Sequence, residues 1–288
     1  MVRRLPRNLE LLHSTFDPKR IGDILPGDSF EFDGTEFVCA YLPESSPDRF
    51  FIVKTKALVD RYLDLCSRFE GARIVELGIA EGGSTALIAL AAQPETLVAI
   101  DLEDEPLDAL DQFLQARGLT ETVRAHYGVD QGDRERLGRI VDEDLAGAPI
   151  DLVIDDCSHQ LDPTRSSFET LFPRLRPGGL YVIEDWNADH LMRRAVAASL
   201  REEAASGSDE LRASIRAALA DPSPTERRAP LSQLAIEFVL ARAGSGDVID
   251  EVIVDEFWIT VRRGSGSLDP ATFRLDDAYE DHFGLKGW

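Results

Sequence analysis

The stretch Arg73–Asp101, RIVELGIAEGGSTALIALAAQPETLVAID, leaves this chain few folds to choose from. An apolar run, Arg73–Leu77, leads into a turn crowded with Gly78, Gly82 and Gly83. Ala86–Ala92 then has helical character until Gln93-Pro94 stops it, and a second apolar run, Thr96–Ile100, ends on Asp101. The pattern is strand, glycine turn, helix, strand. Glycines in such a turn let backbone approach a ligand closely, and Ser84 is placed to cap the helix. An acidic side chain at the tip of the second strand, about twenty residues past the first glycine, suits the hydroxyls of a ribose. The unit therefore predicts a nucleoside site. Its spacing is not the G-x-G-x-x-G of dinucleotide enzymes, and the Lys-Ser/Thr of a phosphate-binding loop is missing. Glu76 and Glu81 put carboxylates beside the turn, which repel a pyrophosphate and suit a sulfonium. That favours S-adenosylmethionine over NAD. A plain βαβ unit with no ligand is the alternative.

The alternation continues downstream. Helices are predicted over Glu105–Arg117, Asp133–Leu145 and Ser166–Leu175, and strands over Thr122–Gly128, Ile150–Asp155 and Leu180–Ile183, with Arg176-Pro177-Gly178-Gly179 as a break. Upstream, Ser29–Leu42 reads as a hairpin turning at Asp33-Gly34, and Phe50–Phe69 as a helix. Strands alternating with helices give an α/β fold with a parallel sheet, whose ligands bind beyond the carboxyl ends of the strands. Gly78, Asp101, Asp130, Asp155, Asp156, Glu184 and Asp185 all fall at such ends.

The organisation expected is an N-terminal extension with the hairpin (1–49), one α/β domain (50–263) and a C-terminal tail (264–288). A helical insertion over 187–245 is longer than a crossover needs and suits a lid or a subunit surface. Val248–Val254 and Phe257–Arg263 form a closing antiparallel hairpin, and the tail's Phe273, Tyr279, Phe283 and Trp288 suggest that it docks.

A second constellation follows the fourth and fifth strands: Asp155-Asp156-Cys157-Ser158-His159 and Glu184-Asp185-Trp186. Carboxylates converging on one mouth repel one another unless a cation joins them. Mg²⁺, held by a few carboxylates with positions left open, answers this better than zinc, which recruits more His and Cys. Asp155 and Asp156 have a second reading as helix caps. His159, three residues past a proposed ligand, is a candidate general base; a loop histidine with only a polar role is the other reading. His13, His126, His190 and His282 lack such neighbours.

The net charge of −22 excludes a nucleic-acid or anionic-membrane partner from the expectation. No run is long enough to cross a membrane and no apolar segment follows Arg3 and Arg4, so a cytoplasmic location is expected. Cys39, Cys66 and Cys157 are too few and too scattered for a disulfide framework or a zinc motif.

Val75–Ser84, the Asp130-Gln131 turn, Ile154–His159, Ser167–Trp186 and the closing hairpin together resemble the metal-dependent class I methyltransferases of the macrocin and mycinamicin sugar O-methyltransferase type, relatives of the cephalosporin-hydroxylase-like group. The resemblance covers roughly Phe50–Trp186 and Val248–Arg263. It implies a Rossmann-like, mostly parallel seven-stranded sheet that transfers methyl from S-adenosylmethionine to a hydroxyl, with Mg²⁺, on a sugar of a glycosylated natural product or polysaccharide. It implies that Glu76, Gly78, Gly82 and Ser84 line the methionine end of the cofactor, that Asp101 holds the ribose, and that Asp130 and Gln131 lie near the adenine. Asp156, Glu184 and Asp185 would ligate Mg²⁺, His159 would be the base, and Asp155 would sit at the cofactor–metal junction. Oligomers are common in the family, so a homo-oligomer is expected. Cys157 stands where the family usually has glycine, and Pro163 where it often has a second histidine. A nicotinamide-dependent oxidoreductase and a non-catalytic partner protein of the same fold are the competing functions.

Overall fold

The computed structural model describes residues 28–40, 44–191, 194, 229–281 and 284. Its centre is a seven-stranded sheet of β4 (Arg73–Leu77), β5 (Thr96–Ile100), β6 (Val123–His126), β7 (Ile150–Asp155), β8 (Leu175–Glu184), β9 (Ile249–Val254) and β10 (Trp258–Arg263), in the order β6-β5-β4-β7-β8-β10-β9. The first five strands of that order are parallel, and β10 runs antiparallel to both its neighbours. The chain reverses its strand order beside β4, so the ends of β4, β5 and β7 open onto one crevice.

Side-chain alternation along these strands builds two apolar layers. Ile74, Leu97, Leu152, Ile154 and Val182 face α1 (Lys56–Arg68), α2 (Gly83–Ala92) and α3 (Asp108–Arg117). Val75, Leu77, Val98, Val153 and Ile183 face α4 (Arg134–Asp144), α5 (Leu161–Leu171) and α6 (Gln233–Gly244). Near-continuous apolar strands are what a sheet covered on both faces requires.

The hairpin turning at Asp33-Gly34 forms as β1 (Ser29–Phe32) and β2 (Thr35–Cys39). The helix expected over Phe50–Phe69 does not begin at Phe50. Arg49–Ile52 is a strand, β3, which pairs in parallel with β2, and α1 starts only after Thr55, whose hydroxyl accepts from Leu58 N at 3.3 Å. The run Phe50-Phe51-Ile52 has the β-branched and aromatic character of a strand, and the capping threonine marks the true start of the helix. This small sheet is no separate unit: Phe37, Phe50 and Ile52 share a core cluster with Ile74 and Leu87. A boundary between residues 49 and 50 therefore cuts through paired strands.

Two further boundaries move. The helix expected over Ser166–Leu175 is α5, which begins at Leu161 and carries Pro163 in its first turn, where a missing N–H costs nothing. Arg176–Gly179 does not precede a strand but lies inside β8: Leu175 pairs with Ile150 and Leu180 with Leu152, so the segment bulges outward. The tail docks as expected, with Phe273, Leu275 and Tyr279 buried against the α4–α6 layer. Phe283, Trp288, the N-terminal 20 residues and most of the 187–245 insertion lie outside the described residues. Among the described residues no helix is long and apolar enough to cross a membrane.

Candidate active site at the carboxyl ends of the strands

The glycine turn is shaped by the chain's own backbone. A Cβ on Gly78, which adopts φ +102°, would lie 2.1 Å from the Asp156 carbonyl oxygen. A Cβ on Gly83 would lie 2.3 Å from the Phe51 carbonyl oxygen, so this glycine lets β3 pass over the start of α2. Gly82, left-handed at φ +80°, is the N-cap of α2. Ser84 therefore does not cap the helix. It lies inside the first turn, where its hydroxyl and that of Thr85 serve Glu76.

Asp101 is the keystone of the turn. Its Oδ2 accepts from Ile79 N at 2.7 Å and Ala80 N at 2.9 Å, and Oδ1 accepts from Glu103 N at 2.9 Å. A carboxylate oxygen offers two acceptor directions. Oδ2 has used both and Oδ1 has one left, enough for one ribose hydroxyl.

Glu76 is buried beneath the turn and accepts from Thr85 Oγ1 at 2.6 Å. Burial pushes its carboxyl up to about 7, against the opposing pull of the Ser84 and Thr85 hydroxyls and of Lys54.

Asp155 and Asp156 are neighbours with opposite surroundings. Asp155 is buried, accepting from Tyr181 Oη at 2.7 Å, Ser167 Oγ at 2.8 Å and Gln131 Nε2 at 3.2 Å. Burial raises its carboxyl to about 6, with Tyr181 and Ser167 opposing. Gln131 is spent in the same network, its Oε1 accepting from Ser158 N at 2.9 Å. The structure thus gives Asp155 and Gln131 partners within the chain. Asp130, where adenine contact was expected, is exposed and accepts from Gly132 N at 2.7 Å.

Asp156 faces the mouth. Its Oδ2 accepts from Lys54 Nζ at 2.6 Å, and the same ammonium donates to Glu184 Oε1. Glu184 Oε2 accepts from Tyr62 Oη at 2.8 Å and Trp258 Nε1 at 3.1 Å. Burial and the Asp156 charge raise the Glu184 carboxyl, while Lys54 lowers it. Burial works to lower the Lys54 ammonium, but Asp156 and Glu184 together hold it above its ordinary value. Sequence reasoning missed Lys54, Tyr62 and Trp258. A lysine between an apolar strand and a helix cap carries no local mark of burial; only the topology reveals it.

His159 Nε2 stands 3.8 Å from Asp156 Oδ1 and 3.9 Å from Asp185 Oδ2, beyond hydrogen-bond range, so the ring nitrogen faces the space between them. One ligand atom from each of Asp156, His159 and Asp185 lies within 4.8 Å of the others. The two carboxylates fit a hard divalent cation with open positions, and the imidazole stands beside them with its own lone pair available to a proton. Glu184, expected as a ligand, is committed to Lys54, Tyr62 and Trp258. Ala80, His159 and Asp185 adopt φ of +48°, +53° and +52°. Such backbone costs about 1–3 kcal/mol at a non-glycine residue and concentrates where function demands it.

This fold and mouth define an α/β scaffold with a glycine turn and an acidic, histidine-bearing rim at the carboxyl ends of its strands. Residues 75–186 match the family model described as a methyltransferase domain. Demethylmacrocin O-methyltransferase of Streptomyces fradiae is 33% identical over 129 residues, 42% of this chain and 29% of that protein. The 8-demethyl-8-alpha-L-rhamnosyl tetracenomycin-C 2'-O-methyltransferase of Streptomyces olivaceus is 47% identical over 74 residues, 20% of each chain. The chain spans less than a third of the length of the curated relatives it matches. Among solved structures, the MycE methyltransferase from the mycinamycin biosynthetic pathway, in complex with Mg, SAH and mycinamycin VI, aligns with TM-score 0.47 and 22% identity, covering 99% of this chain and 58% of that one. The family match and the curated relatives agree with the resemblance drawn from the motifs.

Proposed function

We propose that this protein transfers a methyl group from S-adenosylmethionine to a hydroxyl of a sugar on a glycosylated natural product or polysaccharide, with Mg²⁺ at the mouth. The observation that carries this reading is the meeting of Asp156, His159 and Asp185 within 4.8 Å, beside a glycine turn pinned by Asp101. The methyltransferase-domain match and the sugar named in the tetracenomycin-C relative support the class of reaction and acceptor.

When bound, S-adenosylmethionine supplies the electrophilic methyl group, and a divalent cation lowers the pKa of an alcohol from about 16 by several units. The chain's own residues do the rest. The Ile79–Gly82 turn and the remaining acceptor position of Asp101 hold the nucleoside. Asp156 and Asp185 hold the cation. His159 Nε2, free of hydrogen-bonded partners within its acidic surroundings, takes the proton of the acceptor hydroxyl as general base. Alignment of that oxygen with the methyl group supplies much of the rate.

The proposal extends to a cytoplasmic homo-oligomer. Cys39, Cys66 and Cys157 are free thiols, and Ile236 and Val239 of α6 and Ile253 of β9 are exposed apolar residues suited to a subunit contact.

The test is calorimetric titration with S-adenosylhomocysteine and, separately, NAD, followed by an acceptor screen among glycosides read by methyl transfer. Tight S-adenosylhomocysteine binding and Mg²⁺-dependent turnover are expected, with His159→Gln lowering kcat by about 10²–10⁴ while binding is retained. NAD binding without S-adenosylhomocysteine binding would establish an oxidoreductase instead.

A further inference from the structure

Lys54 stands at the mouth without a part in the reaction just described. Its backbone is fixed from both sides. It follows β3, which Gly83 admits over α2, and it precedes Thr55, the cap of α1. Its side chain is 3% exposed. The ammonium donates to Asp156 at 2.6 Å and to Glu184, and lies 4.8 Å from the centre of the Tyr62 ring. Carboxylates on two sides and an aromatic face below are the surroundings of a bound cation.

That position conflicts with a metal. A divalent cation held by Asp156 and Asp185 draws on the same Asp156 carboxylate and places a second positive charge beside the ammonium. Like charges at this range repel strongly where water is scarce. Without the ammonium, in turn, Asp156 and the 2%-exposed Glu184 would face each other unpaired, which is costly. The lysine side chain is a flexible four-carbon stem, and the adjoining Val53 is 43% exposed, so solvent lies one residue away.

We propose that Lys54 is an exchangeable counter-cation: its ammonium pairs with Asp156 and Glu184 in the metal-free protein, yields them when a divalent cation enters, and so sets the metal affinity of the site. This rests on the reading of Asp156 and Asp185 as metal ligands. Lys54 is a positioning residue in this scheme. It keeps the mouth formed before the metal arrives, and it weakens binding by the work needed to displace it.

The test uses the full chain as wild type, Lys54→Met, Lys54→Gln and Lys54→Arg, without acceptor or S-adenosylmethionine. Mn²⁺ binding is measured by the loss of the free-ion electron paramagnetic resonance signal, and thermal unfolding is followed in chelator and in Mn²⁺. Lys54→Met and Lys54→Gln are expected to bind Mn²⁺ about tenfold tighter or more, because a unit charge beside the site is gone. They are expected to melt below wild type in chelator and to recover in Mn²⁺, while Lys54→Arg, which keeps the charge, binds like wild type. Should Lys54→Met fail to fold, Lys54→Gln reads the same quantity with a polar side chain. Equal or weaker Mn²⁺ binding by the neutral variants, or no Mn²⁺ binding by any protein in the set, overturns the proposal. Titration of the same samples with S-adenosylhomocysteine is the separate reading: its failure sinks the methyltransferase, and the Mn²⁺ comparison alone sinks the counter-cation.

Discussion

Replacing Glu76 by glutamine should change how stability depends on pH. The carboxyl is buried under the glycine turn and raised from 4.5 to about 7, chiefly by burial. In the unfolded chain it titrates at its ordinary value, so between about pH 4.5 and 7 the folded protein holds a proton that the unfolded chain has released. Stability from this group is therefore fully present below pH 4.5 and is lost as pH rises through 7. A difference of about 2.5 units, at 1.36 kcal/mol each, is about 3 kcal/mol. Glu76→Gln has no such proton to lose. Urea unfolding of both proteins at pH 5, 6, 7 and 8 gives the difference in stability directly. The background from the other carboxylates of this acidic chain, net charge −22, cancels in that difference. Relative to wild type, the variant should gain about 2.5 kcal/mol between pH 5 and pH 8, the remainder falling below pH 5. Parallel curves would show that Glu76 is ionised throughout, and would refute the claim that desolvation outweighs the Thr85 and Ser84 hydroxyls and Lys54.

Three further outcomes can be checked. Gly83→Ala places a Cβ 2.3 Å from the Phe51 carbonyl, so β3 must shift, at a cost of about 1–3 kcal/mol in urea unfolding. Tyr181→Phe removes the 2.7 Å donor to buried Asp155 and should cost about 1–3 kcal/mol while leaving S-adenosylhomocysteine affinity unchanged, since that network lies behind the mouth. Asp101→Ala strips the acceptor from the Ile79, Ala80 and Glu103 amides and should weaken S-adenosylhomocysteine binding about tenfold or more by calorimetry.

The βαβ unit around Arg73–Asp101 was legible because apolar runs, glycines and a proline mark it locally, and the closing strands because two β-rich runs flank a short turn. The N-terminal strand β3 was not, because Phe50-Phe51-Ile52 adjoins a helical pattern and only its pairing partner β2 separates the two. Site residues divide along the same line. Asp156 and Asp185 stand out in the sequence because each directly follows a strand, and His159 because it lies three residues past Asp156; the structure brings the three together. Lys54 was invisible, because its meaning comes from contacts 102 and 130 residues away. Asp155 and Gln131 are assigned to the cofactor through the family resemblance; the sequence locates the end of β7 but not the face on which Asp155 emerges, nor that Gln131 reaches it.

β7 tolerates a change of side chain better than a change of length. Asp155 and Asp156 carry the same chemical group, yet one belongs to the sealed polar network under Tyr181 and the other to the open rim with Lys54. Only the two-residue repeat of an extended chain tells them apart. Deleting or inserting a single residue in Ile150–Asp155 would exchange their destinations, setting an interior carboxylate at the entrance and an entrance carboxylate in the interior. The adjacent aspartates are thus no spare copies of each other. They are a parity mark, and the segment that bears them can be substituted side chain by side chain but not lengthened or shortened.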